Sequence, residues 1–344
     1  MNSGNLSKYN FENLKSDYFL ERIFYNIKKN KFLDIIKYNK NLQNRLNISI
    51  NDYKEYFILF TPIEIELKIA KGKFGKFINI SDKEKDFYHI YFHNSNIEIK
   101  SNYLKKDDND KIIKIIIDSQ IKSFEKLFDF CPCVSSINFK KFHRNNMRGM
   151  FWDCFSLEEL NLSNFNTINV TDMSDMFNGC SSLKKLNLSN FNTINVTNMA
   201  SMFNGCSSIE EINLSNFNTD NVINMSEMFN GCSSLKELNL SNFNTNKVTN
   251  MSCMFNRCTS IEEINLFNFN TDNVIYMSRM FNECSSLKKI NASNIRIHGM
   301  NKRLNEDSSK LTEKINLSNE KNKYRRFFYF FIFAITLKFL YEKI

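Results

Sequence analysis

The chain has 344 residues, 42% of them apolar and 34 of them Phe, enough for one large or two modest folded domains, which excludes a disordered polymer. Its formal charge of +9 is uneven: residues 155–295 hold eight Lys and Arg against thirteen Asp and Glu, a balance of −5, which argues against nucleic acid as their partner. With only two Pro and eight Gly, Asn has to supply the turns.

Residues 1–60 form a helical N-terminal region, because apolar residues fall at helical intervals at Phe19, Leu20, Ile23, Phe24 and Ile27, then at Phe32, Ile35, Ile36, Leu42 and Leu46. The first nineteen residues, broken by Lys8, Glu12, Lys15 and Asp17, lack the apolar core of a secretory signal. Ordinary secretion is therefore not expected, the nine Cys are expected to be reduced, and triplets such as Asn187-Leu188-Ser189 are not expected to carry glycans.

Residues 61–122 read as a β-rich capping region. Ile63, Ile65, Leu67 and Ile69 alternate with polar and charged residues, and further strands are expected at Tyr88 to Phe92, Ile97 to Ile99 and Ile112 to Ile117. His89, Tyr91 and His93 would share one strand face, but with no third ligand in step no metal site is expected. Gly72 to Lys76 lacks the spacing of a phosphate loop, and Asp107 to Asp110 lacks the Gly and closing Glu of a calcium loop.

Residues 123–298 are repeats. Cys154, Cys180, Cys206, Cys232, Cys258 and Cys284 recur every 26 residues, each inside the phrase that runs clearest from Met176 to Thr193, and Cys131 begins an irregular first copy 23 residues before Cys154. In Leu183-x-x-Leu186-x-Leu188 the alternation points Leu186 and Leu188 inward and Lys185, Asn187 and Ser189 outward, so each copy contributes one strand. Phe191, Val196, Met199, Met202 and Phe203 anchor the return side. Stacked at about 4.8 Å, the copies would form an α/β-type solenoid with one parallel sheet, preceded by a smaller α+β N-terminal region. Glu158, Lys184, Glu210, Lys236, Glu262 and Lys288 alternate in sign along the stack, pairs worth about 0.2–1 kcal/mol each that help set register.

The phrase resembles the BspA-like leucine-rich repeats, found in many surface proteins of bacteria and protists. That resemblance implies a leucine-rich-repeat stack and adhesion or protein binding through a curved sheet, with a cell-surface location by analogy. On this reading the partner-binding face carries Asn161, Asn187, Asn213, Asn239 and Asn265, flanked by Glu159, Lys185, Glu211, Glu237 and Glu263, with Phe267 as an outward aromatic in a column of Ser. The Asn column also reads as a ladder bonded along the stack. One Cys per copy gives a structural column rather than the paired spacing of zinc ligands, while Cys131, Cys133 and Cys253 fall outside it. No catalytic arrangement, metal or cofactor is expected, and the protein is read as a non-enzymatic scaffold for a protein partner. The N-terminal helices are similar to F-box-like modules, which implies an alternative role as a ubiquitin-ligase adaptor.

Residues 299–326 read as a polar linker and 327–344 as an apolar C-terminal segment. The run Phe327 to Tyr341 follows Arg325 and Arg326; as a helix it reaches about 22 Å against roughly 30 Å of hydrocarbon. A tail anchor presenting the repeats to the cytoplasm and a helix packed over the last repeat both fit it, so the expected location is cytoplasmic or C-terminally membrane-anchored.

Overall fold

The structure, a computed structural model, describes Ser16 and residues 39–46, 62–92, 95–106, 112–119, 121, 123–140, 142 and 146–294. Contacts divide the chain into two compact units, Met1–Pro62 with Asp118–Gln120, and Ile63–Ile117 with Ile121–Ile344. In the first, helix α1 (Lys40–Arg45) starts where the Asn39 side chain accepts a hydrogen bond from the Leu42 N–H at 3.0 Å, and Leu42 is buried. The other helices expected before Leu46 lie outside the described residues, as do His93, Asp107 to Asp110 and everything after Asn294.

The second unit is mostly β. Strand β1 (Ile63–Ile69) buries alternate residues, as its period-two pattern requires. It lies between β6 (Ile112–Ile117) and β7 (Val134–Phe139), antiparallel to both, with Ile65 opposite Ile115 and Leu67 opposite Ile137. Strands β3 (Tyr88–Phe92) and β4 (Glu98–Ile99) extend one side and β8 (Glu159–Asn161) the other, giving the open order β4-β3-β6-β1-β7-β8. Strands β2 (Gly75–Lys76) and β5 (Tyr103–Leu104) pair separately. At β7 the pairing changes from antiparallel to parallel, because β7 is the strand of the first repeat and β8 that of the second.

Two expectations are corrected here. The single parallel sheet is instead a mixed six-stranded sheet followed by two short parallel pairs, β9 (Glu211–Ile212) with β10 (Glu237–Leu238), and β11 (Glu263–Asn270) with β12 (Lys289–Asn294). In the copy around Leu186 no regular strand forms, although Leu186 and Leu188 are buried and Lys185, Asn187 and Ser189 exposed. Asn187, Asn213 and Asn239 each accept a hydrogen bond from the N–H two residues on at 3.0 Å, closing a local turn within the strand phrase.

The α/β-type class also fails, for among the described residues the return side of each copy consists of turns instead of helix. Two residues of each copy there, four apart, have a left-handed backbone. One column runs through Asp175, Ser201, Glu227, Cys253 and Arg279 at φ 55–59°, and a second through Gly179, Gly205, Gly231, Arg257 and Glu283 at φ 58–75°. Such residues end a helix before it completes two turns. The N–H groups freed in this way bond forward to the next copy: Phe177 to Met202, Phe203 to Met228 and Phe229 to Met254, each at 2.9 Å.

Between the two sides lies one continuous core. Phe128, Phe151, Phe177, Phe203, Phe229, Phe255 and Phe281 stack in sequence with centroids 5.4–5.8 Å apart and planes within 14° of parallel. The spacing exceeds the strand spacing because stacked rings are laterally offset. Buried Thr hydroxyls fasten neighbouring copies: Thr193 Oγ1 donates to the Asn218 carbonyl at 2.8 Å and accepts from the Asn218 N–H at 2.8 Å, and Thr167, Thr219 and Thr245 repeat the arrangement.

Candidate functional site

The strand side presents the residues the alternation directs outward. Glu159, Asn161, Lys185, Asn187, Glu211, Asn213, Glu237, Asn239, Glu263, Asn265 and Phe267 are all exposed, Phe267 at 55%. The parallel register sets Glu211 beside Glu237 and Glu263 beside Lys289. Glu263 is paired: Lys289 Nζ lies 2.5 Å away and Asn291 Nδ2 donates at 2.7 Å, and together they hold its carboxyl below the usual carboxylate range. Among the described residues Glu211 and Glu237 have no ion-pair partner.

The Asn column does little cross-linking. Asn161 Nδ2 donates to Asn138 Oδ1 at 2.9 Å, but in Asn187, Asn213, Asn239 and Asn265 the side-chain oxygen closes its own turn. The Asn residues that bind copies together are others. Asn190, Asn216 and Asn242 donate to the backbone carbonyls of Phe165, Phe191 and Phe217 in the preceding copy at 2.6–2.8 Å. They recur at the same interval of 26 in the tripeptide Asn-Phe-Asn, a periodic signal as plain as that of the column chosen from the sequence.

Where β1 meets β7 and β8 the face has a polar recess of about 360 Å³, lined by Glu66, Lys68, Ser136, Asn138, Glu159 and Asn161. Its charges are loosely paired, Lys68 with Glu159 at 3.9 Å and Lys140 with Glu66 at 3.6 Å. The alternating column at the edge of the face pairs at Glu210–Lys236, 2.6 Å, and Glu262–Lys288, 2.8 Å.

The Cys column offers no accessible chemistry. Cys180, Cys206, Cys232 and Cys258 are buried, and each thiol donates to a Phe carbonyl 29 residues earlier at 3.1–3.2 Å. Burial pushes the thiols of Cys154 and Cys206 up to about 12, and Cys284, half-buried, bonds to Phe255 in the same way. Cys253 is half-buried, and its thiol is pushed up by burial and by the Glu227 carboxylate, which favours the protonated form. Elsewhere His89 Nδ1 and Glu98 Oε1 are 3.2 Å apart, and Lys100, then His89, lower the Glu98 carboxyl. Among the described residues no three His, Cys, Asp or Glu side chains come together as metal ligands, and no helix is long and apolar enough to cross a membrane.

A family model described as "Mycoplasma protein of unknown function, DUF285" matches residues 122–212, 145–238 and 208–318, together more than half of the chain. No curated protein matches. Among solved structures a leucine-rich repeat protein from Bacteroides ovatus is 19% identical over 56% of this chain and 62% of its own, with a TM-score of 0.25. The chain thus spans less than two thirds of that protein's length.

Proposed function

The chain belongs to the family described as Mycoplasma protein of unknown function, DUF285, and from that premise we propose a non-enzymatic scaffold, a leucine-rich-repeat solenoid whose exposed strand face binds a protein partner. The observation that carries this reading is the pairing of Glu211 with Glu237. Two carboxylates side by side on neighbouring strands cost the free protein stability, and a Lys or Arg from a partner would remove that cost. Phe267, exposed on the same side of the chain, supplies apolar area of the kind that anchors interfaces.

The test compares affinity purification of the wild-type chain with that of a Glu211→Lys/Glu237→Lys/Glu263→Lys variant and of Phe267→Ser. Stoichiometric partners should be lost from the triple variant and weakened by the Phe substitution. If every specific partner stays bound to the triple variant, the face is not the binding surface. A second reading, membrane attachment, rests on the uncharged run from Phe327 to Leu337 behind Arg325 and Arg326. Fractionation of the chain with and without residues 327–344 checks it, and equal partitioning of both forms would dismiss it.

A further inference from the structure

One position of the strand face is unlike its counterparts along the stack. The place that holds Glu159, Lys185, Glu211, Glu237, Glu263 and Lys289 in successive copies holds Ser136 in the first, between Lys68 of β1 and Glu159 of β8. A hydroxyl where each later copy carries a long charged side chain leaves a gap between β1 and β8. That gap is the recess of about 360 Å³, of a size that takes small molecules. Beside it, Glu66 of β1 stands opposite Asn138, and Asn138 opposite Asn161.

The charges around the recess are not spent on one another. Lys68 and Glu159 reach across Ser136 from opposite sides and approach only to 3.9 Å, while Lys140 and Glu66 stay 3.6 Å apart, both beyond hydrogen-bond reach. Farther along the face the pairs Glu210–Lys236, Glu262–Lys288 and Glu263–Lys289 close to 2.5–2.8 Å. Asn138 Oδ1 accepts from Asn161 Nδ2 at 2.9 Å, but among the described residues Asn138 Nδ2 and the Ser136 hydroxyl meet no acceptor. The recess therefore sets a cation and two neutral donors beside two carboxylates. Opening the Lys68–Glu159 pair costs little, because the two side chains are 56% and 73% exposed.

We propose that this recess binds a small zwitterion of the α-amino acid class. Its carboxylate is held by Lys68 Nζ, Ser136 Oγ and Asn138 Nδ2, and its ammonium group by Glu66 and Glu159. A lone anion would meet the two carboxylates and a lone cation would meet Lys68, whereas a ligand carrying both charges on one carbon satisfies both sides at once. The cationic end is an ammonium with N–H donors and not a quaternary amine, for no aromatic ring among the described residues lines the recess. The site is independent of the protein-binding reading, since Glu211 and Glu237 lie two and three copies beyond Glu159.

Titration of the full chain with L-alanine, N-acetyl-L-alanine and L-alaninamide tests it, followed at the amide resonances of Ser136, Asn138 and Asn161 with Asn213 as the reference. L-Alanine should give saturable shifts, and each blocked form should bind about tenfold more weakly or worse. Ser136→Lys gives the first copy the residue that Lys185 and Lys289 place in the same column, so the melting temperature should hold while L-alanine binding falls by the same factor. Lys68→Met should weaken L-alanine equally but not L-alaninamide, and it decides the matter should the Ser136 variant fail to fold. Glu211→Lys/Glu237→Lys should leave the titration unchanged. The proposal is overturned if L-alanine gives no saturable shift, if either blocked form binds as well as L-alanine, or if a folded Ser136→Lys chain binds undiminished.

Discussion

Single hydroxyls and single missing side chains hold this stack together. Thr219 bonds both the N–H and the carbonyl of Asn244, at 2.8 and 2.9 Å, in a buried position. Thr219→Val keeps the shape and orphans both groups, so a loss of about 1–3 kcal/mol is expected, whereas Thr219→Ser keeps both bonds and removes one methyl, about 0.8 kcal/mol. Thermal unfolding of the two variants checks the order, and a Val variant no worse than the Ser variant would deny the clip its role. Glycines rank similarly. At Gly205, φ 70°, an added Cβ would meet Gly179 atoms at 3.5 Å, ordinary contact, so Gly205→Ala should cost only the backbone strain of about 1–2 kcal/mol. At Gly179 the same carbon collides with Asp153 Oδ1, and Gly179→Ala should unfold at a lower temperature than Gly205→Ala.

The repeating element was legible from its period, and its interior from its alternation: Leu186, Leu188, Phe191, Val196, Met199 and Phe203 are all buried. What misled was the return side. Val196, Met199, Met202 and Phe203 recur at intervals that suit a helix, and the residues that prevent one, Asp175, Ser201, Glu227, Cys253 and Arg279, share a backbone conformation but no chemistry. The glycines Gly149, Gly179, Gly205 and Gly231 did announce a left-handed turn. On the strand side, columns of exposed Asn and Glu were identifiable, but which Asn bonds to a neighbour depends on its carbonyl partners, which no spacing reveals. Copy independence has a measurable consequence. Excising residues 207–232 should leave a folded protein whose forward bonds re-form across the junction, but it sets Lys184 beside Lys236. Excising 207–258 sets Lys184 beside Glu262 instead. Added salt should therefore raise the melting temperature of the first variant relative to the second, by the equivalent of under about 1 kcal/mol. An identical salt response would mean that the column contributes nothing to register.

At the scale of the whole molecule the buried thiols act together. Burial raises Cys133 to about 11 and Cys154 and Cys206 to about 12 from an ordinary value of 9.0, and lifts Cys180, Cys232 and Cys258 well above it too. The unfolded chain loses these protons before the folded one does, so stability is complete below pH 9.0 and falls as the pH rises from there through the folded values. Melting curves at increasing alkaline pH should show this decline, and Cys206→Ser should make it shallower. A melting temperature unchanged across that range would contradict it.

Bonding between neighbouring copies turns copy number into a length scale. Because the same backbone bonds recur from copy to copy, Phe177 donating forward to Met202 and Ile223 back to Thr197, inserting or deleting a 26-residue unit in the gene asks nothing new of either end. Each duplication lengthens the molecule by about one ring spacing, 5.4–5.8 Å. Unequal recombination between near-identical copies would thus alter the reach of the exposed face in regular steps.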